Sequence, residues 1–262
     1  MQIVDTHCHA GLSWFEPVEL LLTQMNLNGV GKAALIQHRG CYDNSYLLEC
    51  AERFPGRFKV VVLVDTSKPD APQVLEEWAG KGAVGLRLSP LERSPGPDPL
   101  AIWKKASQLG LVVSVLGNVA NFASDEFSSL VAQLPDLNIV IEHLAGVKPS
   151  EEPPYTAYKK ALSLANYPNT YIKVGGLGEI SVRPTVLGTQ WAFDDTPPLI
   201  EMATEAFTPQ RMMWGSDYPP VSSREGYRNA LGGVREHPAF EDQQDREWVM
   251  GKTAMKVFKF ER

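Results

Sequence analysis

The stretch Gln2-Ile3-Val4-Asp5-Thr6-His7 is short, apolar and β-branched at its centre, and polar at its end. That is the signature of a buried strand whose C-terminal end carries chemistry. Seven similar runs follow, at 33–38, 59–65, 83–89, 111–116, 138–143, 170–174 and 211–217. Their starts lie 24 to 41 residues apart, and every gap but the last has the size of one strand, one helix and two loops. The intervening segments read as helices. Residues 16–27 carry Val18, Leu21, Leu22 and Met25 at helical spacing, and 44–54 carry Leu47, Leu48, Ala51 and Phe54. The windows 71–79, 100–109, 125–134, 155–165 and 198–207 repeat the pattern, an apolar stripe suited to packing on a sheet. Asp98-Pro99 and Ser124-Asp125-Glu126 supply helix-start chemistry. Gly29, Gly80 and Gly110 stand near helix ends. A tail helix is expected over 242–258.

Eight alternations of strand and helix predict an α/β protein, a single-domain (β/α)8 TIM barrel over residues 1–262. The length of 262 residues agrees. A doubly wound open sheet would need a glycine-rich turn after its first strand; Thr6-His7-Cys8-His9-Ala10 is not one. The proline-rich stretches 94–99 and 149–154 read as loops over the functional face.

The bulk composition excludes several classes. Hydrophobic residues make up 44% and charged residues 21%, as in ordinary globular domains. The net charge is −6 and no Lys/Arg stripe forms, so no nucleic-acid partner is expected. No apolar run approaches 18 residues, so no membrane span is expected, and no secretory signal is visible. Three cysteines, Cys8, Cys41 and Cys50, do not make a disulfide framework, which favours a reducing, cytoplasmic setting. The partner expected is a small-molecule acid or lactone; a homo-oligomer is left open.

In a TIM barrel the site forms where the strands end. The first strand ends in His7 and His9, the second in Gln37-His38-Arg39, and the third in Asp65. The fourth carries Arg87, the sixth ends Glu142-His143, the seventh carries Lys173, and the eighth ends Ser216-Asp217. Four of the five histidines fall at such ends. Alternation along a strand sends His7 and His9 to one side, a grip for a metal ion or a polar substrate, and Cys8 to the other. Asp217, at the end of an apolar strand, suits a metal ligand, a general base, or both in turn. His143 suits acid–base work or oxyanion stabilisation, with Glu142 facing the other way in a structural role. Arg87 fits either a substrate carboxylate or an internal salt bridge. His38 is a substrate-binding candidate, although Gln37 or Arg39 can be the inward residue instead. Lys173 serves either the substrate or an internal ion pair. Trp14 and Trp191 stand in functional-face loops where they can line a pocket.

Asp5-Thr6-His7-Cys8-His9, His143 within Ile141-Glu142-His143-Leu144-Ala145-Gly146, and Trp214-Gly215-Ser216-Asp217-Tyr218-Pro219 together resemble the amidohydrolase superfamily. The likeness spans nearly the whole chain and is to the amidohydrolase 2 branch of metal-dependent decarboxylases and lactone hydrolases. Gly85-Leu86-Arg87, Val62-Leu63-Val64-Asp65, and Glu142-His143-Leu144 followed by Pro149 are similar to its sugar-lactonase and dicarboxylate-lactonase group. The resemblance implies a hydrolase opening a lactone of a sugar acid or dicarboxylic acid. In it, His7, His9 and Asp217 would be the first-strand and last-strand site residues, His143 the sixth-strand histidine, and Arg87 a holder of substrate oxygens. The chain departs from the pattern at strand five, where Leu116 and Asn118 replace a histidine, and at strand four, where Arg87 stands in place of a lysine. The expected cofactor is therefore one divalent metal ion, zinc foremost, on His7, His9 and Asp217, or none. The alternatives are a metal-dependent decarboxylase of an unsaturated or aromatic acid, or a non-catalytic small-acid-binding barrel.

Overall fold

The computed structural model describes residues 1–188, 193 and 196–260. Among them are eight strands: β1 (Ile3–Cys8), β2 (Val30–Ile36), β3 (Phe58–Val62), β4 (Gly85–Leu88), β5 (Val112–Val115), β6 (Ile139–Ile141), β7 (Thr170–Val174) and β8 (Met212–Trp214). All pair in parallel and in sequence order, with helices between them, as the alternation of the sequence predicts.

Two apolar layers follow from strand alternation. Residues such as Ile3, Leu35, Val62, Leu86, Val113, Ile141 and Ile172 point outward and pack against the helices. Val4, Ala34, Ile36, Val61, Val112, Val140, Tyr171 and Met213 point inward and fill the barrel. The inner layer continues into Ala254, Val257, Phe258 and Phe260, so the chain's last helical segment plugs the N-terminal end of the barrel. That segment spans Gln243–Glu247, a π-turn at Trp248–Lys252, and Thr253–Val257, close to the expected 242–258.

Between β8 and β1 the barrel closes mainly through the residues just past the strands. Asp217 N–H donates to His7 O at 2.7 Å and His9 N–H donates to Tyr218 O at 2.8 Å. A buried carboxylate reinforces this seam. Asp5 accepts from Ser216 N–H (2.9 Å), Ser216 Oγ (2.6 Å), Tyr227 OH (2.9 Å) and His7 N–H (3.1 Å). Burial raises the Asp5 carboxyl above its ordinary range, and the bonds from Ser216, His7 and Tyr227 pull it only part of the way back.

Removing that acceptor deprives four buried donors of the carboxylate they share. Asp5→Ala is expected to destabilise the fold by about 3 kcal/mol, measured by urea unfolding. An unchanged unfolding midpoint would rule out Asp5 as the fastening of the seam.

Candidate active site

Three local departures from regular backbone aim side chains at the barrel mouth. The first is a bulge in β1. Asp5 pairs with Ala33 and Cys8 with Leu35, so three steps along β1 match two along β2. Strict alternation from the inward Val4 would turn Thr6 and Cys8 inward. The bulge shifts the phase, so His7 and His9 enter the site and Cys8 joins the outer layer. The second is a left-handed turn after β6: His143, Leu144, Ala145 and Gly146 have φ of 53°, 47°, 60° and 67°. Such residues cost about 1–2 kcal/mol each when they carry a Cβ. The third is Asp217, also left-handed at φ 57°.

The left-handed turn corrects one expectation. Glu142 does not face away; it points into the barrel, and His143 is swung back to the mouth beside it. Glu142 is fully buried and accepts from Arg87 Nη2 at 2.7 Å, Arg87 Nε at 3.2 Å and Ser114 Oγ at 2.7 Å. Lys173 Nζ lies 3.9 Å from it, donates to Ser114 Oγ at 2.9 Å, and sits 3.2 Å from His7 Nδ1. Burial alone would raise the Glu142 carboxyl, but Arg87, Lys173 and His143 outweigh it and hold the group well below the usual carboxylate range. Burial, with Arg87 adding to it and Glu142 opposing, brings Lys173 down to about 8.

Above this ionic layer lies the mouth. His7 Nε2 and His9 Nε2 stand 3.8 Å and 3.7 Å from the same oxygen, Asp217 Oδ1. His9 Nδ1 is 2.7 Å from Ile36 O, which requires a proton on Nδ1, so that the neutral ring carries its lone pair on Nε2. Burial, and then the positive neighbours Lys173 and His143, push His7 well below the ordinary histidine range, so it is neutral. Its Nε2 is buried and finds no hydrogen-bond partner among the described residues. Asp217 stays ionised: burial would raise its carboxyl, but His9, His143 and Arg224 lower it further. Two imidazole donors and one carboxylate within 4.8 Å of one another, one of them an orphaned buried nitrogen, fit a divalent cation.

His143 stands against His7, with ring centroids 4.5 Å apart. Its Nδ1 is 2.6 Å from Glu179 Oε1. Burial would lower His143, but Glu179, Asp217 and Glu142 together raise it, so it keeps a proton to higher pH than an ordinary histidine. Arg224 Nη1 donates to Asp217 Oδ2 at 3.1 Å. Phe15, held at φ 69°, stacks on His9 at 5.0 Å and meets His38 edge-on at 5.5 Å.

The sequence-derived candidates thus separate. His7, His9, His143 and Asp217 converge. His38 lies at the same rim, half-buried, while Gln37 is turned to Asp43 O. Arg87 and Lys173, open in the sequence to either substrate or an internal ion pair, have internal partners in Glu142 and Ser114, although Arg87 also floors a cleft of about 300 Å³ bordered by Arg39, Tyr42, Thr66, Glu92 and Leu116. Trp14 is 64% exposed and meets Phe15, which in turn stacks on His9. Trp191 lies outside the described residues. Glu179, Arg224 and Phe15 are not among the sequence-derived candidates: they come from loops, where no period marks an inward position. The glycine run Gly175-Gly176-Leu177-Gly178 before Glu179 was the available signal.

Glu142→Gln strands Arg87 and Lys173, and is expected to cost about 4 kcal/mol at neutral pH by urea unfolding. The folded-state carboxyl lies below its unfolded value of about 4.3. Its stabilisation is therefore complete above that value and is lost as pH falls through the folded one. Wild type and variant should converge in stability as the pH is lowered below roughly 4. A gap that does not narrow would refute the assignment.

The chain has relatives among known proteins. The 4-sulfomuconolactone hydrolase of Hydrogenophaga intermedia is 30% identical over 182 residues, covering 68% of this chain. The chain spans 56% of the length of the curated relatives it matches. A probable 2-pyrone-4,6-dicarboxylic acid hydrolase from Acinetobacter baumannii, crystallised with citric acid, superposes with a TM-score of 0.77 at 20% identity, covering 99% of this chain and 100% of that one. An amidohydrolase from Burkholderia multivorans with bound zinc superposes at 0.80 and 20% identity over 100% of both chains. These two structural likenesses speak for the barrel fold. The amidohydrolase family model matches residues 4–260, and the chain belongs to the amidohydrolase family of enzymes.

Proposed function

We propose that this protein hydrolyses a lactone of a sugar acid or dicarboxylic acid at the mouth of its barrel. The observation that carries the reading is the convergence of His7, His9 and His143 on Asp217, an ionised carboxylate set among imidazoles. The reaction class is supported by the relative that hydrolyses a muconolactone. An anionic substrate is supported by the arginines at the rim, Arg39 beside the cleft and Arg224 beside Asp217.

A lactone is a strained or activated ester, so its opening asks for a proton acceptor, a stabiliser for the carbonyl oxygen, and a proton for the departing alkoxide. Asp217 takes the proton of the attacking water as the new C–O bond forms. His143, whose proton its carboxylate neighbours hold to higher pH than usual, donates a hydrogen bond to the carbonyl oxygen as charge gathers there. The ring C–O bond then breaks, and the proton held by Asp217 passes to the leaving oxygen. A divalent cation, zinc foremost, would be held by His7, His9 and Asp217 and would supply Lewis-acid polarisation. Arg224, bonded to Asp217 Oδ2, keeps the carboxylate oriented. Phe15 covers His9 and forms an apolar wall beside the reacting group.

The test is a panel of sugar-acid and dicarboxylic-acid lactones, assayed on purified protein with its metal content measured before and after chelation. Wild type should open at least one of them. Asp217→Asn should lose about 10³-fold in kcat. Full turnover by that variant would overturn the assignment of Asp217. Metal near one equivalent whose removal abolishes turnover supports the cation site; undiminished turnover of the stripped protein refutes it.

A further inference from the structure

Glu179 reaches His143 through a space kept open by a glycine. It ends a short 3-10 turn, Leu177–Glu179, directly behind β7, and its Oε1 lies 2.6 Å from His143 Nδ1. The carboxylate passes over Gly175. A methyl group at Gly175 would overlap it, and the three atoms nearest to that methyl all belong to the Glu179 carboxylate group. Gly175 does not have a left-handed backbone, so its conformation is open to any residue. What demands a glycine there is the carboxylate.

The arrangement also explains how the ring of His143 is aimed. The residue sits in a strained left-handed turn at φ 53°, with its ring in T-shaped contact with that of His7. With Nδ1 given to Glu179, Nε2 turns inward, 3.9 Å from Glu142 Oε2. An imidazole so held has its orientation and its proton fixed from behind, as a carboxylate fixes a catalytic histidine in unrelated hydrolases.

We propose that Glu179 is the positioning residue of His143. Its carboxylate engages Nδ1–H and directs Nε2–H at the oxygen that gains charge, and Gly175 is required because it leaves room for that carboxylate. The kinetic part of this proposal rests on the lactone-hydrolase reading; the geometric part does not.

Two variants remove the same contact by different means. Glu179→Gln discharges the carboxylate. Gly175→Ala leaves it charged but pushes it aside, and since it is the end of a flexible side chain it moves at little cost to the fold. On a lactone that wild type opens, both should lower kcat by about 100-fold with KM little changed, and Glu179→Asp should recover part of the loss. In ¹⁵N-histidine-labelled protein, a downfield Nδ1–H signal, assigned by its loss in His143→Gln, should be present in wild type and absent from Glu179→Gln and Gly175→Ala. Thermal midpoints of the two variants should match wild type. Wild-type kcat in both variants overturns the proposal, and so does a fall in kcat that tracks a fall in thermal midpoint. So does a signal that persists in both variants or is absent from wild type. Should wild type open no lactone, the hydrolase reading falls and the resonance alone decides the role of Glu179.

Discussion

The carboxylate of Glu142, sealed inside the barrel between Arg87, Ser114 and Lys173, is the interaction on which the site rests. A charge in that position is tolerable only while every partner stays in place. The partners come from β4, β5 and β7, and the carboxylate itself stands directly after β6. The four strands therefore cannot slide past one another without stranding a charge. An apolar filling of similar volume would stabilise a barrel as well or better. What the ionic layer adds is a fixed positive field under the mouth. Lys173, 3.2 Å from His7 Nδ1, helps keep that imidazole neutral and therefore able to present a lone pair.

The irregular backbone rests on the same platform. A left-handed run of three residues bearing side chains is unfavourable in isolation. Here it is held down by packing. Leu144 and Ala145 are each 1% exposed and belong to the outer core, and Gly146 fits where a Cβ would overlap the Gly117 carbonyl. Burial thus offsets local strain, and the result is that two consecutive residues, Glu142 and His143, serve two levels of one site. A regular strand would have sent them to opposite faces.

These irregularities mark the limit of what the sequence discloses. The barrel was legible because eight apolar runs and their amphipathic partners repeat with little noise, and a period needs no atomic detail. The convergence of His7, His9, His143 and Asp217 was legible because strand ends are identifiable from the same period. The inward direction of Glu142 was not: alternation from an inward His143 sends Glu142 outward, and both face the site only because a left-handed turn, written in Leu144 and Ala145, neither of which favours φ above zero, swings His143 back. The bulge in β1 was equally silent; the side shared by His7 and His9 followed from alternation, but the shift that turns it inward is a matter of pairing with β2. Glu179 and Arg224 arrive from loops, and only the glycines ahead of Glu179 hinted that something bulky must pass there.

Two imidazoles 4.5 Å apart show what the combined arrangement accomplishes. In water His7 and His143 would titrate together near pH 6.5. Here burial lowers both, Lys173 lowers His7 further, and Glu179 with Asp217 and Glu142 raises His143, so their proton affinities move apart. Their repulsion widens the difference, because a charge on His143 makes a second charge on His7 more costly. Divergent neighbours are how a single residue type is assigned opposite tasks within one cavity. A neutral His7 can donate a lone pair and a protonated His143 can donate a hydrogen bond.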